Sequence, residues 1–258
     1  MKQRVIWGAI ALLIMLPFLL HGGLSFQVFV GFLAMVGVAE MLRMKHLEFF
    51  SIEGVLSMLG AFVLTVPLDN YFTSLPIDSN FAVYGLLVFL LLAGTVINCD
   101  DYSFDDVSYP IAASLYVGIG FQNLVNARMG GLDKVLFALF IVWATDIGAY
   151  MIGRRFGQRK LMPKVSPNKT IEGSLGGIAC AVVVSFIFML IDKAVYAPHN
   201  LFVMLICVIL FSIFGQFGDL VESAIKRHFG VKDSGKLIPG HGGILDLSLI
   251  HISEPTRP

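Results

Sequence analysis

Eight apolar runs, at residues 5–20, 24–42, 55–68, 81–97, 107–125, 134–152, 173–191 and 201–220, decide what this chain can fold into. A helix needs about 20 apolar residues to cross the hydrocarbon of a bilayer. The runs approach or reach that length, the third being the shortest. In hydrocarbon every backbone N–H and C=O must be satisfied internally, which leaves helices as the structure for runs of this kind. The expected fold is therefore an all-α polytopic membrane protein with about eight transmembrane helices. With 57% hydrophobic and only 14% charged residues, the composition excludes a soluble globular domain. Pro17, Pro67 and Pro110 sit near the ends of runs, where proline is tolerated. Lys2 and Arg4 precede the first run without a small-residue cleavage site after it, so that run is expected to be a retained helix. Cys99, Cys180 and Cys207 show neither metal-ligand spacing nor a framework of pairs.

Orientation follows from the basic residues, which concentrate on the cytoplasmic side of membrane proteins. With a cytoplasmic N-terminus and eight alternating helices, the far side holds Arg128, Lys134 and Lys193. Of the 18 Lys and Arg residues, Arg257 lies in the C-terminal tail, so fourteen remain for the cytoplasmic face against three opposite. The reverse orientation would invert that ratio.

The polar residues gather in two blocks. In the first, at 215–246, Asp219, Glu222, Ser223 and Lys226 stand at i, i+3, i+4 and i+7, one face of a helix that continues out of the last apolar run. Arg227, Lys232, Asp233 and Lys236 follow, then the turn Pro239-Gly240-His241-Gly242-Gly243 and a further acid, Asp246. Carboxylates are hard ligands for Mg²⁺, whereas lysines, arginines and exposed glycine N–H groups neutralise phosphates. The plain alternative is a solvated, positive-inside anchor. Asp219 and Glu222 add nothing to such an anchor, and it needs far less glycine. The second block begins with Asp146, an acid inside an apolar helix and a functional candidate on that ground; its alternative is a helix–helix hydrogen bond. Gly153 to Gly173 follows, rich in Arg, Lys, Ser and Thr. Glu172 stands where the first turn of the next helix begins, and Gly173 with Gly177 forms a G-x-x-x-G pair suited to close helix contact. By contrast, the first half of the chain carries no chemical pattern. Its acidic stretch Asn98-Cys-Asp-Asp-Tyr-Ser-Phe-Asp-Asp106 lacks EF-hand spacing and is expected to be a solvated loop. His21, His46, His199 and His228 have no partner recognisable in the sequence.

The order Ser223-x-Ile225-Lys226-Arg227, then Lys232-Asp233, then Pro239-Gly-His-Gly-Gly-Ile-Leu-Asp246 resembles the signature of the phosphatidate cytidylyltransferase (CDP-diacylglycerol synthase) family. The 134–173 stretch is similar to it as well. It carries Asp146, Gly153-Arg-Arg-Phe-Gly157 and Ser166-Pro-Asn-Lys169-Thr170-Ile-Glu172-Gly173, with Asn168 where a lysine is common. The resemblance implies an enzyme of phospholipid biosynthesis. It would transfer the cytidylyl group of CTP to phosphatidate at the cytoplasmic face of a bacterial inner membrane, with Mg²⁺ and possibly a second cation. On that reading Asp219 and Asp246, with Asp146 as a weaker candidate, hold metal, while Asp219, Ser223, Lys226 and Asp246 act at the reacting centre. Lys164, Ser166, Lys169, Thr170, Arg227, Lys232, Lys236, His241, Gly242 and Gly243 contact the substrates. Residues 1–130 are expected to be a transmembrane scaffold contributing to a homodimer. Residues 131–246 would be the catalytic region, with cytoplasmic loops at 153–172 and 221–246. No nucleic-acid partner is expected.

Two other functions fit parts of the pattern. A CTP-dependent lipid kinase of the dolichol-kinase type would use the same nucleotide and metal. An ion-coupled transporter would use Asp146, but it should show paired half-repeats, and none is visible. After Asp246 the family pattern continues with Arg, a hydrophobic residue and Asp, and then a ninth helix. Residues 247–258 (LSLIHISEPTRP) instead match the translation of a sequencing-library transposase adapter. They are expected to be a non-native tail in which His251, Glu254 and Arg257 have no role. The charge partition makes a direct prediction. Single cysteines at Gln158 and Ser234 should react with impermeant thiol reagents only once the inner face is opened, and one at Ser79 or Asn200 should react in sealed cells. Labelling of position 158 from outside would overturn the orientation.

Overall fold

The computed structural model describes residues 2–68, 71, 80–100, 102–192, 200–235, 237 and 242–248, with side chains placed for all of these except 2–5, 247 and 248. Eight long helices form where the eight runs stand: α1 (Lys2–His21), α2 (Gly23–Met44), α3 (Ile52–Thr65), α4 (Asn80–Ile97), α5 (Phe104–Met129), α6 (Leu132–Phe156), α7 (Ile171–Ile191) and α8 (Leu201–His228). A five-residue helix, α9 (Ile244–Ser248), follows. Five of them, α2, α4, α6, α7 and α8, are long and apolar enough to cross a membrane, and α3 and the 6–21 part of α1 are shorter apolar helices. Phenylalanines 211, 214 and 217 on α8 and Leu190 and Ile191 on α7 are exposed on the protein surface, the expected state of lipid-facing side chains.

Helices outrun their apolar stretches where polar residues cap them. The polar start of α5 lies in the acidic 98–106 stretch. Ser103 caps the helix in a reciprocal capping box with Asp106, so that aspartate is engaged in helix initiation and Pro110 falls inside the helix rather than at its edge. At the other extreme α8 continues eight residues past position 220 and ends in a Schellman motif. Gly230 takes φ +69°, Gly230 N–H donates to Arg227 O (3.1 Å) and Val231 N–H to Lys226 O (2.9 Å).

The fold is not wholly helical. Strands β1 (Lys160–Met162) and β2 (Ser166–Thr170) pair antiparallel in the polar connection between α6 and α7. That connection has no apolar periodicity, and its backbone groups find partners in a short hairpin closed by Val165 N–H to Met162 O (3.1 Å).

Two compact units divide the described residues: those of Lys2–Gly130 with Ser234–Leu245, and those of Gly131–Asp233 with residues 246–248. In the first unit α2, α3 and α5 form the centre. Gly31 on α2 lies against Phe62 of α3, and Gly118 of α5 against Leu64 and Ala61 of α3, so glycines let these helices approach. In the second unit α6 and α7 are the most extensively packed pair. A side chain at Gly177 would stand 2.6 Å from the Thr145 carbonyl, and one at Gly173 2.7 Å from that of Ala149. The G-x-x-x-G pair is thus a close helix contact. Thr145 Oγ1 and Ser212 Oγ (2.9 Å), and Gln216 Nε2 donating to Ser174 O (3.3 Å), tie α8 to α6 and α7.

Candidate active site: a carboxylate–lysine cluster

Most of the candidate site lies in the second unit, on α6, β2, the polar end of α8 and α9. Its centre is Lys226. Because α8 runs through to His228, Glu222 and Lys226 share a face one turn apart, with Lys226 Nζ 3.1 Å from Glu222 Oε1. The same ammonium donates to Asp246 Oδ1 at 2.8 Å. All three are buried: 2% exposed for Glu222, 7% for Lys226 and 6% for Asp246. In so dry a place the ammonium and the two carboxylates offset one another, so that none stands as an isolated buried charge.

A second ion pair stands beside it. Lys169 Nζ on β2 contacts Asp219 Oδ2 on α8. Burial pushes the Lys169 ammonium down to about 8; Asp146 and Glu222 act to raise it, and Lys226 to lower it. These mutual effects tie Asp146 on α6 to the same electrostatic group. The cluster therefore holds four carboxylates (Asp146, Asp219, Glu222, Asp246) and two lysines (Lys169, Lys226), a surplus of two negative charges. Glu222 is the member that the sequence analysis noted on the helix face but did not assign to the site.

Local sequence explains how Lys169 is delivered. The next residue, Thr170, is the N-cap of α7, its Oγ1 accepting from Gly173 N–H at 3.1 Å. Thr170 is buried, and Gly153 and Gly157 of the Gly-Arg-Arg-Phe-Gly stretch lie where a side chain would strike its hydroxyl at 2.9 and 2.7 Å. These glycines let the end of α6 close over the cap. Glu172 ties down the same loop. Its carboxylate accepts the N–H groups of Gln158 (3.0 Å) and Arg159 (3.1 Å) and pairs with the Arg159 guanidinium. The structure thus uses Thr170 and Glu172 to build the loop that presents Lys169. Ser166 is half-buried on β2, Ser223 is half-buried on α8, and Lys164, Arg227 and Lys232 are exposed, available to an anion arriving from water. Lys236 and His241 lie outside the described residues. Gly242 and Gly243 belong to the other unit, where Gly243 is buried against the carboxylate of Glu40.

Residues 2–248 match the Cytidylyltransferase family. The chain belongs to that family. It is 44% identical over 250 residues to the "Phosphatidate cytidylyltransferase" of Staphylococcus saprophyticus, covering 95% of this chain and 93% of that one. The proteins of the same name from Staphylococcus epidermidis (44% over 249 residues) and Staphylococcus aureus (41% over 248 residues) are covered equally well. The match takes in the first half of the chain, where the sequence offers no chemical motif.

Among the described residues no three His, Cys, Asp or Glu side chains converge on a ready-made metal cage. Mg²⁺ keeps several waters and is commonly held by one or two carboxylates together with substrate phosphates. Asp219 and Asp246 are hard oxygen donors of the right kind, and the cluster's surplus of two negative charges matches one divalent cation.

The depressed Lys169 ammonium gives a signed prediction. An unfolded lysine titrates near 10.4, so between about 8 and that value the unfolded chain binds more protons than the folded one, and folded stability rises with pH. The thermal midpoint of the protein in detergent should therefore improve relative to Lys169→Met as pH is raised from 7 to 10. A constant difference would place the ammonium at its ordinary value.

Proposed function

We propose that this chain transfers the cytidylyl group of CTP to phosphatidate, giving CDP-diacylglycerol and pyrophosphate. The observation that carries this reading is the buried Glu222–Lys226–Asp246 triad beside the Lys169–Asp219 pair. It is a cluster of acids and lysines on β2, α8 and α9, in a chain of the Cytidylyltransferase family. The bacterial relatives bear a name that specifies phosphatidate as acceptor.

The reaction asks little covalent work of the protein. A phosphate oxygen of phosphatidate forms a bond to the α-phosphorus of CTP while the bond to the β-phosphate bridging oxygen breaks, and pyrophosphate leaves with that electron pair. Catalysis then rests on positioning and on stabilising charge. Lys226, fixed by Glu222 and Asp246, and Lys169, fixed by Asp219, set two cations in a dry environment where phosphate oxygens gather charge. Lys164, Arg227 and Lys232, exposed around them, draw the nucleotide from water, and Lys236 and His241 complete that set in the proposal. Ser166 and Ser223 orient phosphate oxygens. Asp219 and Asp246, with Asp146 as a weaker candidate, would hold Mg²⁺, which would supply positive charge to offset that of the phosphates. Asp219 and Asp246 meanwhile hold Lys169 and Lys226 in place as ion-pair partners.

The nucleotide is soluble and the acceptor is a lipid, so the site belongs where water meets the bilayer. The proposal therefore includes a cytoplasmic N-terminus, eight spans in this chain with a ninth after Asp246 in its family, an inner-membrane location and a homodimer. The charge partition and the helix pattern support the orientation.

The decisive assay supplies phosphatidate, Mg²⁺ and CTP labelled at either the α- or the γ-phosphate. Two sets of membranes are used, one carrying the chain and one carrying a form whose residues 247–258 are replaced by the corresponding residues of the Staphylococcus saprophyticus relative. Lipid labelled from the α-phosphate, with pyrophosphate released, is the expected product. Asp219→Asn or Asp246→Asn should lower its rate about 100-fold or more. Label reaching lipid only from the γ-phosphate would make the protein a lipid kinase, and no lipid label in either form would overturn the reading.

A further inference from the structure

Glu40 is an acid in the last third of α2, in the half of the chain that otherwise reads as scaffold. An ionisable group inside an apolar helix costs folding free energy unless it is fully satisfied. Glu40 is only 3% exposed, and Ser234, Ile244 and Leu245 of the same unit donate to its carboxylate. Its Oε1 accepts the backbone N–H of Ile244 at 2.7 Å. Its Oε2 accepts the N–H of Leu245 at 3.0 Å and the hydroxyl of Ser234 at 3.1 Å. The two ends of the segment Ser234–Leu245 are thus drawn to one carboxylate about 200 residues away in sequence.

The glycines fit the same purpose. A Cβ on Gly235 would stand 2.7 Å from Glu40 Oε1, and one on Gly243 would collide with both carboxylate oxygens. Gly242, at φ +95°, turns the chain in a conformation that side chains rarely adopt, just before the two N–H groups that reach Glu40. Leu245, beside it, is buried near Gly37, one turn earlier on α2, where a Cβ would approach its side chain to 3.3 Å. In the structure, then, the anion cradled by Gly243, Ile244 and Leu245 is a side chain of the protein itself. The open glycine face and the backbone donors of Ile244 and Leu245, which the sequence suggests for phosphate, are turned to Glu40.

We propose that Glu40 is a positioning residue: its buried carboxylate clamps the Ser234 hydroxyl and the backbone N–H groups of Ile244 and Leu245 and so fixes the residue pair immediately before Asp246. Asp246 is the next residue along the chain and the partner of Lys226. A carboxylate with two oxygens is needed because three donors converge on it. An amide in its place offers one acceptor oxygen and turns an N–H₂ group toward other donors.

The catalytic consequence rests on the cytidylyl-transfer reading, but the clamp can be tested apart from it. Hydrogen exchange of the segment Ser234–Leu245 and steady-state kinetics are measured on the full chain in detergent, for wild type, Glu40→Gln and Ser234→Ala. The clamp predicts at least tenfold faster exchange confined to that segment in Glu40→Gln, with a thermal midpoint within a few degrees of wild type. It also predicts a kcat at least tenfold lower with KM for CTP within about threefold. Ser234→Ala removes one donor of three and should show the same pattern more weakly; it decides the matter alone if Glu40→Gln fails to fold. Unchanged exchange in the segment would overturn the proposal. So would faster exchange with unchanged kcat per folded molecule in an active wild type, because the carboxylate would then be merely structural. If neither the wild type nor its form with residues 247–258 replaced makes CDP-diacylglycerol, the functional reading fails and the exchange measurement still decides the clamp.

Discussion

The buried ammonium of Lys226, shared between Glu222 and Asp246, is the interaction on which the candidate site depends. Removing one partner of a buried ion pair costs about 3–5 kcal/mol, because it strands the other charge away from water. Three charged groups that are each less than 10% exposed therefore persist only as a set. That set dictates much else. Helix α8 must extend past its apolar run to bring Glu222 and Lys226 one turn apart, and it must stop cleanly, which Gly230 accomplishes. The chain must also return so that Asp246 reaches Lys226 from twenty residues away in sequence.

The neighbouring Lys169–Asp219 pair shows how small residues place large charges. Gly153 and Gly157 at the end of α6 make room for Thr170, Thr170 caps α7, and the cap fixes the strand that carries Lys169. Glycines at 173 and 177 bring α7 within backbone contact of α6. The helical packing is thus a means of holding cations and carboxylates in a fixed pattern, as a reaction governed by positioning and charge requires.

How much of this was legible in the sequence differs by residue. The eight long helices follow from apolar runs, because the bilayer admits few alternatives, and the shared face of Glu222 and Lys226 follows from helical period alone. The motifs around Asp146, Lys169 and 223–246 pointed to the Cytidylyltransferase family, to which the chain belongs. What one-dimensional patterns could not give was pairing. Nothing in the sequence says that Asp246 meets Lys226 or that Lys169 meets Asp219. The short β1–β2 hairpin was also invisible, since a polar loop carries no periodicity. Glu40 is a different kind of omission. It is an acid within an apolar helix, the same signal that singled out Asp146, and its partners are a serine hydroxyl and backbone amides that leave no mark in composition.

A double-mutant cycle on Lys226→Met and Asp246→Asn, read as unfolding free energy in detergent, tests the buried pair most directly. Each single substitution should destabilise the protein by about 3–5 kcal/mol. The double variant should fall short of the sum by at least about 1 kcal/mol, as contacting residues do. Losses that add to within about 0.5 kcal/mol would mean that the two groups do not act on one another, and would contradict the account of the site built on Lys226.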